Sequence, residues 1–102
     1  MSVNEINAKE EFIYRTKERE VICAFLLQSN ENQYHLKEGY TIDDYNQFLN
    51  DIDFIYDSGY GGQKVYGCIW YVDKSWSERG EYDGSEWWEF QKRIEIPIEL
   101  RR

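Results

Sequence analysis

The sequence has few of the features that mark membrane-spanning, secreted or disulfide-rich proteins. Its 102 residues include two cysteines, one proline and one histidine. The longest strongly apolar run is 21–27, far short of the roughly 20 residues that a membrane helix needs. The N-terminal residues carry acids early and contain no apolar run of about 7 to 15 residues, so they do not resemble a secretory signal. We therefore expect a cytoplasmic protein.

The sequence also lacks the spacings that build metal and catalytic sites. Cys23 and Cys68 have no CxxC spacing, and a reducing cytosol favours free thiols over a disulfide. His35 cannot complete a zinc site with these thiols unless a carboxylate joins them. The glycine-rich segment 58–64 has no GK[ST] ending and leads into a predicted strand, so it is not a phosphate loop, and no nucleophile elbow is present. We predict no metal, no cofactor and no enzymatic activity.

Acidic residues outnumber basic ones, because 20 Asp and Glu stand against 12 Lys and Arg and give a net charge of −8. This charge disfavours direct binding to nucleic acid or to an anionic membrane, since both repel carboxylates. Hydrophobic residues form 41% of the chain and aromatic residues 18%, which is typical of a folded protein. At this length one hydrophobic core is expected, so residues 1–102 are predicted to form a single domain.

Hydrophobic spacing predicts two helices in the first half of the chain. The segment 42–50 has apolar residues at helical spacing, and Thr41 with Asp44 resembles a capping box. A short N-terminal helix is predicted to end near 15–17, with Ser2 or Asn4 as its cap. The alternative is that 12–14 form the first arm of a hairpin.

The remaining pattern predicts a sheet. Val21 to Gln28 is apolar on both faces, as in a strand inside a sheet. From residue 53 onward the period is two, which predicts strands over 54–56, 64–72, 75–82 and 86–92, with a tight hairpin turn at Asp83-Gly84. Pro97 cannot donate a ladder hydrogen bond, so 94–100 is predicted to be an edge strand or an extended arm.

Together these segments predict an α+β fold. A four- to five-stranded antiparallel sheet, with a C-terminal meander, packs with two helices in the order α-β-α-β-β-β-β. Alternation within 64–72 places large apolar groups on both faces of that strand. We therefore expect the helices to cover one face of the sheet and aromatic side chains to cover part of the other.

The placement of charge suggests a binding surface. Residues 38–91 carry twelve acids against three bases, a balance of −9. Such a band attracts a basic groove and steers association, although a purely solubilising surface is the alternative. Adjacent Trp87 and Trp88 must point to opposite faces of a strand, which predicts one exposed tryptophan. The candidate partner-binding residues are Asp43, Asp44, Asp51, Asp53, Asp57, Glu78, Glu81, Asp83, Glu86 and Trp87.

The stretch 54–90 contains GYGGQ, a G-x-I-W strand and ERGEYDGSEWW. It resembles a pattern in small acidic proteins encoded by tailed bacteriophages and prophages, and the likeness covers roughly 39–97. The resemblance implies no catalytic residue. It implies a setting in which such proteins are often non-enzymatic inhibitors of host machinery, including DNA mimics that occupy the basic groove of a nuclease or a CRISPR complex.

We therefore expect a non-enzymatic acidic inhibitor of the anti-CRISPR or anti-restriction type. It would block a basic, nucleic-acid-binding surface on a host defence or nucleic-acid-handling protein, because a groove built for phosphates also accepts carboxylates. The expected partner is a nuclease or CRISPR effector subunit rather than nucleic acid or a membrane. The alternatives are a homo-oligomeric module, such as a homodimer, that uses an aromatic sheet face, and a small-ligand-binding protein.

Overall fold

The computed structural model describes residues 5–59, 61–82, 84–92 and 98–100. Two helices, seven strands and one short 3₁₀ helix lie in these ranges. In chain order they are β1 Glu5–Asn7, α1 Ala8–Thr16, β2 Val21–Gln28, β3 Gln33–Leu36, α2 Ile42–Asp51, β4 Ile55–Asp57, β5 Val65–Tyr71, β6 Trp76–Tyr82, β7 Ser85–Gln91 and the 3₁₀ helix Ile98–Leu100.

The strands form two antiparallel sheets. Five of them pair in the spatial order β3-β2-β5-β6-β7, and β1 pairs with β4 in a separate two-stranded sheet. The predicted α+β class and the antiparallel C-terminal meander, β5-β6-β7, are confirmed. The predicted element order was wrong in two respects: it omitted β1 and β3, and it counted β4 with the meander.

The two omitted strands are short and polar, and long-range or hairpin pairing stabilises them. β1 has three residues and pairs with β4 about fifty residues later, with Ile6 opposite Tyr56. β3 continues β2 through a tight turn in which the Gln28 amide donates to the Asn32 carbonyl at 2.8 Å. Local hydrophobic periodicity carries little information about such strands, because three or four residues show barely one repeat.

Both predicted helices are confirmed. In α1 the Asn7 side chain caps the helix by accepting from the Glu10 amide at 2.9 Å, and the helix ends at Thr16, which excludes the hairpin alternative. The prediction that Ser2 or Asn4 caps this helix was wrong, because the helix begins at Ala8 and Asn7 is its cap; Ser2 and Asn4 themselves lie outside the described residues. In α2 both bonds of the capping box between Thr41 and Asp44 are present, at 3.0 and 3.1 Å.

The helices pack on one face of the five-stranded sheet, which we call the covered face. Phe12 of α1 meets Phe48 of α2 edge to face, with ring centroids 5.3 Å apart. Below them lie the sheet residues of the core, including Leu26, Ile69 and Trp88, each less than 5% exposed. This arrangement fixes which alternate residues of every strand face the helices.

The opposite face of the same sheet, which we call the open face, has no helix over it in the described part of the chain. Trp87 is 39% exposed whereas Trp88 is 3% exposed, so the prediction that the two rings point to opposite faces is confirmed. The β6–β7 turn is also confirmed in length: Tyr82 pairs with Ser85, and Gly84 has a φ of 88°. Asp83 itself, Pro97 and most of the predicted arm 94–100 lie outside the described residues.

Within the described ranges, neither α-helix combines the length and the hydropathy needed to cross a membrane.

Gly67 lies where β5 passes close to the backbone of β2. A Cβ at this position would overlap the carbonyl oxygen of Phe25 and lie 3.3 Å from the indole of Trp88. We expect Gly67→Ala to lower the free energy of unfolding by about 1–3 kcal/mol, as over-packing of a core does. Urea unfolding followed by tryptophan fluorescence measures this change. Gly62→Ala is the matched control, because nothing lies within 4 Å of the added methyl group; an equal loss in both variants would contradict the packing argument.

Candidate functional site

The open face carries aromatic residues from β2, β5, β6 and β7, which the period-two alternation of these strands brings to one side of the sheet. The ring of Phe25 on β2 stacks with His35 on β3 and with Trp70 on β5, at centroid distances of 6.4 and 6.3 Å. Trp70 lies directly opposite Trp76 of β6. Contiguous exposed apolar patches often mark interaction sites, whereas single exposed apolar residues do not.

At the other end of the sheet the surface continues through Trp87. A Cβ on Gly80 would lie only 2.6 Å from the indole nitrogen of Trp87, so the indole rests on the Gly80 backbone. Tyr66 of β5 is 42% exposed on the same face. Indoles therefore stand at both ends of the face, with Trp70 and Trp76 at one end and Trp87 at the other, and a middle cross-strand row lies between them.

That middle row contains two carboxylates side by side. Glu78 of β6 is the cross-strand partner of Glu89 of β7 and also of Cys68 of β5. Like charges directly opposite each other destabilise a sheet. Neither carboxylate has a salt bridge or hydrogen bond within the described residues, and none of the described strand residues on this face is lysine or arginine. The open face is thus aromatic and negatively charged, and the described residues supply no counter-charge to Glu78 or Glu89.

The two cysteines also belong to the open face. Cys68 lies opposite Phe25, and Cys23 lies opposite Trp70. Both are half-buried free thiols. Burial raises the pKa of the Cys68 thiol, and the Glu78 carboxylate raises it further; burial and Glu38 do the same for the pKa of Cys23. Both groups are therefore neutral thiols at pH 7, which makes them weak nucleophiles.

On the covered face, one residue away from Glu78, a guanidinium lies at the centre of a buried ionic cluster. The Arg79 side chain is 2% exposed and pairs with Glu11 of α1 at 3.0 Å and with Glu86 of β7 at 3.3 Å. It also donates to the Tyr56 hydroxyl at 2.8 Å. Its guanidinium carbon lies 5.0 Å from the centroid of the Trp88 ring. We call these five residues the Arg79 cluster.

Glu86 extends the Arg79 cluster into the loop before β5. Its buried carboxylate accepts from the backbone amides of Lys64 at 2.5 Å and Val65 at 2.9 Å. Its backbone amide donates to the Ser58 hydroxyl at 2.9 Å. A buried carboxylate is stable only when paired and hydrogen-bonded in this way. The glycine-rich segment is therefore held to the end of the hairpin by a side chain that sequence reasoning placed on the surface.

Burial shapes the protonation of the Arg79 cluster. Burial is the main cause that raises the pKa of the Tyr56 hydroxyl, so the phenol stays protonated and donates to Glu11 at 2.7 Å. Burial lowers the pKa of Arg79, but the Glu11 carboxylate and Tyr56 raise it by more, and the net shift is upward. The cluster thus holds one fixed positive charge between two carboxylates, which is a structural arrangement with no nucleophile.

The predicted partner-binding acids do not share one surface. Asp43, Asp44 and Asp51 are exposed on α2, above the covered face. The Asp44 carboxylate closes the capping box, and Asp51 accepts from the Gln47 side chain at 2.8 Å. An open groove of about 280 Å³ between β3 and α2 includes both, but Lys37 also lines it and offsets part of the charge.

The other predicted acids are distributed between the surface and the interior. Asp53 pairs with Lys9 at 3.5 Å, and Asp57 is half-buried with one carboxylate oxygen sealed from solvent. Glu81 is exposed near the β6–β7 turn, whereas Glu86 is inaccessible inside the Arg79 cluster. Glu78 and Trp87 stand together on the open face, apart from the acids of α2, and Asp83 lies outside the described residues.

Sequence reasoning missed Glu89, Trp70, Trp76 and Phe25 as site residues. The signal was present, because alternation places Trp76 and Glu78 on one side of β6 and Trp87 and Glu89 on one side of β7. What was missing was the register that sets the two carboxylates opposite each other. No group of three or more candidate metal ligands occurs in the described part of the chain.

Comparison of the chain with protein families, with curated proteins and with solved structures finds no match. No residue role is therefore transferred from a relative.

Removal of Arg79 should leave two buried carboxylates without their counter-charge. We expect Arg79→Met to lower the free energy of unfolding by about 3–5 kcal/mol. The carboxylates would stay buried, but no counter-charge would offset the free energy of their desolvation. Chemical denaturation measures the loss. In a double-mutant cycle, Arg79→Met with Glu86→Gln should cost less than the sum of the single changes. Lys9→Ala removes an exposed ion pair and is the control, with little expected effect on the free energy of unfolding. If the losses from Arg79→Met and Glu86→Gln simply added in the double variant, the coupling between the two residues would be contradicted.

Asp53 provides a test of pH dependence. The hydrogen bond from Asn7 at 2.8 Å and the charge of Lys9 hold the pKa of Asp53 below its ordinary value of 3.8. A carboxylate with a lowered folded pKa stabilises the protein above its unfolded pKa, and this stability is lost as the pH falls through the folded pKa.

We expect Asp53→Asn to lower the melting temperature at pH 7, and the gap from the parent protein to close as the pH falls below 3.8. Thermal unfolding from pH 7 to pH 2 measures this gap. Glu18→Gln is the control, because Glu18 is exposed and has no hydrogen bond or ion pair in the described ranges. A gap for Asp53→Asn that persists unchanged at pH 2 would contradict the role of its charge.

Proposed function

We propose that this chain is a non-enzymatic, acidic binding protein that inhibits its partner by covering a basic, nucleic-acid-binding surface. The observation that carries the proposal is the open face, where Glu78 and Glu89 lie among aromatic rings and no described strand residue of that face is lysine or arginine. The resemblance to phage and prophage proteins supports a host defence or nucleic-acid-handling protein as the partner, such as a nuclease or CRISPR effector subunit.

The physical argument joins two kinds of contact. Exposed tryptophans supply large, rigid contact areas of the type that dominates protein interfaces. Unpaired carboxylates among them select a partner surface rich in lysine and arginine, and the net charge of −8 accelerates the encounter through long-range attraction. The acids of α2 lie on the other side of the sheet, so they contribute to this attraction and not to the contact itself.

The same observation weighs against a homodimer through the open face. A two-fold contact whose axis passes through the carboxylate pair would bring Glu78 and Glu89 of one copy against the same pair of the other, and any other two-fold contact over this face would still bury both pairs without a counter-charge from the described strand residues of that face. A basic partner removes this repulsion, because each carboxylate then gains a counter-charge. The open face is therefore better suited to a heterologous partner than to a second copy.

The test is competition with DNA, using proteins retained from bacterial lysate by the immobilised chain. We expect nucleic-acid-binding proteins that are retained at about 50 mM salt, released at about 500 mM salt, and displaced by added duplex DNA, because salt screens the attraction between the carboxylates and the basic partner and DNA competes for the same basic surface. The purified partner should then lose DNA binding when the chain is added. A retained partner that still binds DNA in the presence of saturating chain would contradict the proposal.

Paired variants locate the contact. Trp70→Ala with Trp87→Ala alters the open face and should abolish retention, whereas Asp43→Lys with Asp51→Lys reverses two charges on α2 and should only slow association. The opposite pattern would place the contact on α2 and overturn the role of the open face. Sedimentation at micromolar concentration tests the homo-oligomeric alternative. A dimer of the parent chain that dissociates in the Trp70→Ala, Trp87→Ala variant would favour that alternative.

A further inference from the structure

The two faces of the β6–β7 hairpin present the same kinds of side chain. On the covered face the Arg79 guanidinium lies between the carboxylates of Glu11 and Glu86, with the rings of Trp88 and Tyr56 at 5.0 and 5.6 Å. Two carboxylates and two aromatic rings thus surround one guanidinium, whose two terminal nitrogens donate to Glu11, Glu86 and Tyr56, while its Nε has no hydrogen-bond partner among the described residues.

On the open face two carboxylates and two indoles also occur together, with no lysine or arginine among the described strand residues of that face. Glu78 and Glu89 stand opposite each other on neighbouring strands. Trp76 lies two residues from Glu78 along β6, and Trp87 lies two residues from Glu89 along β7, on the other side of the carboxylates. At about 3.3 Å per residue the two tryptophan positions are separated by roughly 13 Å along the strands, with the carboxylates midway. This spacing accommodates one long side chain.

We infer that the pair Glu78 and Glu89, with the flanking indoles of Trp76 and Trp87, forms a binding slot for an arginine side chain of the partner protein. The inference rests on the proposed function and specifies the group that the partner supplies. The guanidinium donates to both carboxylates and removes their mutual repulsion, while its stem and planar face pack against the indoles.

Arginine suits this slot better than lysine. A guanidinium offers five donors in a planar fork, so it bridges two carboxylates on adjacent strands at once and still stacks on an aromatic ring. An ammonium group is a compact and strongly hydrated charge that loses more hydration when aromatic rings enclose it. The Arg79 cluster illustrates this bridging geometry within the same hairpin.

The experiment compares three ten-residue peptides that alternate glycine with arginine, lysine or uncharged citrulline. Binding is followed by the NMR signals of the four indole N–H groups of the folded chain, assigned by single Trp→Phe changes. We expect the arginine peptide to shift the Trp76 and Trp87 signals and to bind about 5-fold more tightly than the lysine peptide, while the citrulline peptide shifts neither.

A charge-matched pair of variants separates the slot from general attraction. Glu78→Gln with Glu89→Gln and the control Asp43→Asn with Asp51→Asn each remove two negative charges. The first should weaken arginine-peptide binding about 10-fold or more, and the second less than about 2-fold. The first should also melt no lower than the parent, because it removes a like-charge pair, so that weaker binding is not caused by unfolding.

The outcomes distinguish this inference from the proposed function. Equal weakening in the two charge variants, or equal affinity for the arginine and lysine peptides, overturns the slot while binding of a basic partner to the open face stands. Shifts confined to tryptophans other than Trp76 and Trp87 also overturn the slot. If no nucleic-acid-binding partner competes with DNA either, the proposed function fails as well.

Discussion

The buried guanidinium of Arg79 sets the constraint that the rest of the structure follows. It needs counter-charges and hydrogen-bond acceptors within reach, and these come from α1 through Glu11, from β4 through Tyr56 and from β7 through Glu86. Loss of any one of these contacts would leave the buried guanidinium with one partner fewer, so each contact holds its element to β6. Through Glu86 the constraint also reaches the amides at the start of β5 and the glycine-rich segment before it.

The functional interpretation follows from the other side of the same hairpin. Because the Arg79 cluster fixes which side chains of β6 and β7 face the helices, it also fixes which ones face away. The residues that face away combine exposed indoles with a directly opposed pair of glutamates, an arrangement that costs stability in the isolated chain. Local departures of this kind from good sheet design occur at functional sites, where a ligand supplies what the fold lacks.

The net charge of −8 therefore separates into parts with different physical roles. Glu11 and Glu86 pair with the buried guanidinium of Arg79. Asp44 caps α2, and Asp53 forms an ion pair with Lys9. Asp43 and Asp51 are exposed on α2. Glu78 and Glu89 lie on the open face, where the described residues give them no ion pair or hydrogen bond. A charge count along the chain does not separate these groups, because it records neither burial nor pairing.

The sequence by itself determined the elements whose signals are local. The Thr41–Asp44 capping box, the apolar run Val21–Gln28, the alternation within Val65–Tyr71 and the two-residue turn before Ser85 each depend on residues a few positions apart, and each prediction is confirmed. Tertiary structure alone decided the pairing of β1 with β4, the burial of Glu86 and the register that sets Glu78 against Glu89. These features join residues that are distant in sequence, and their energies depend on desolvation and cross-strand contact, which exist only after the chain has folded.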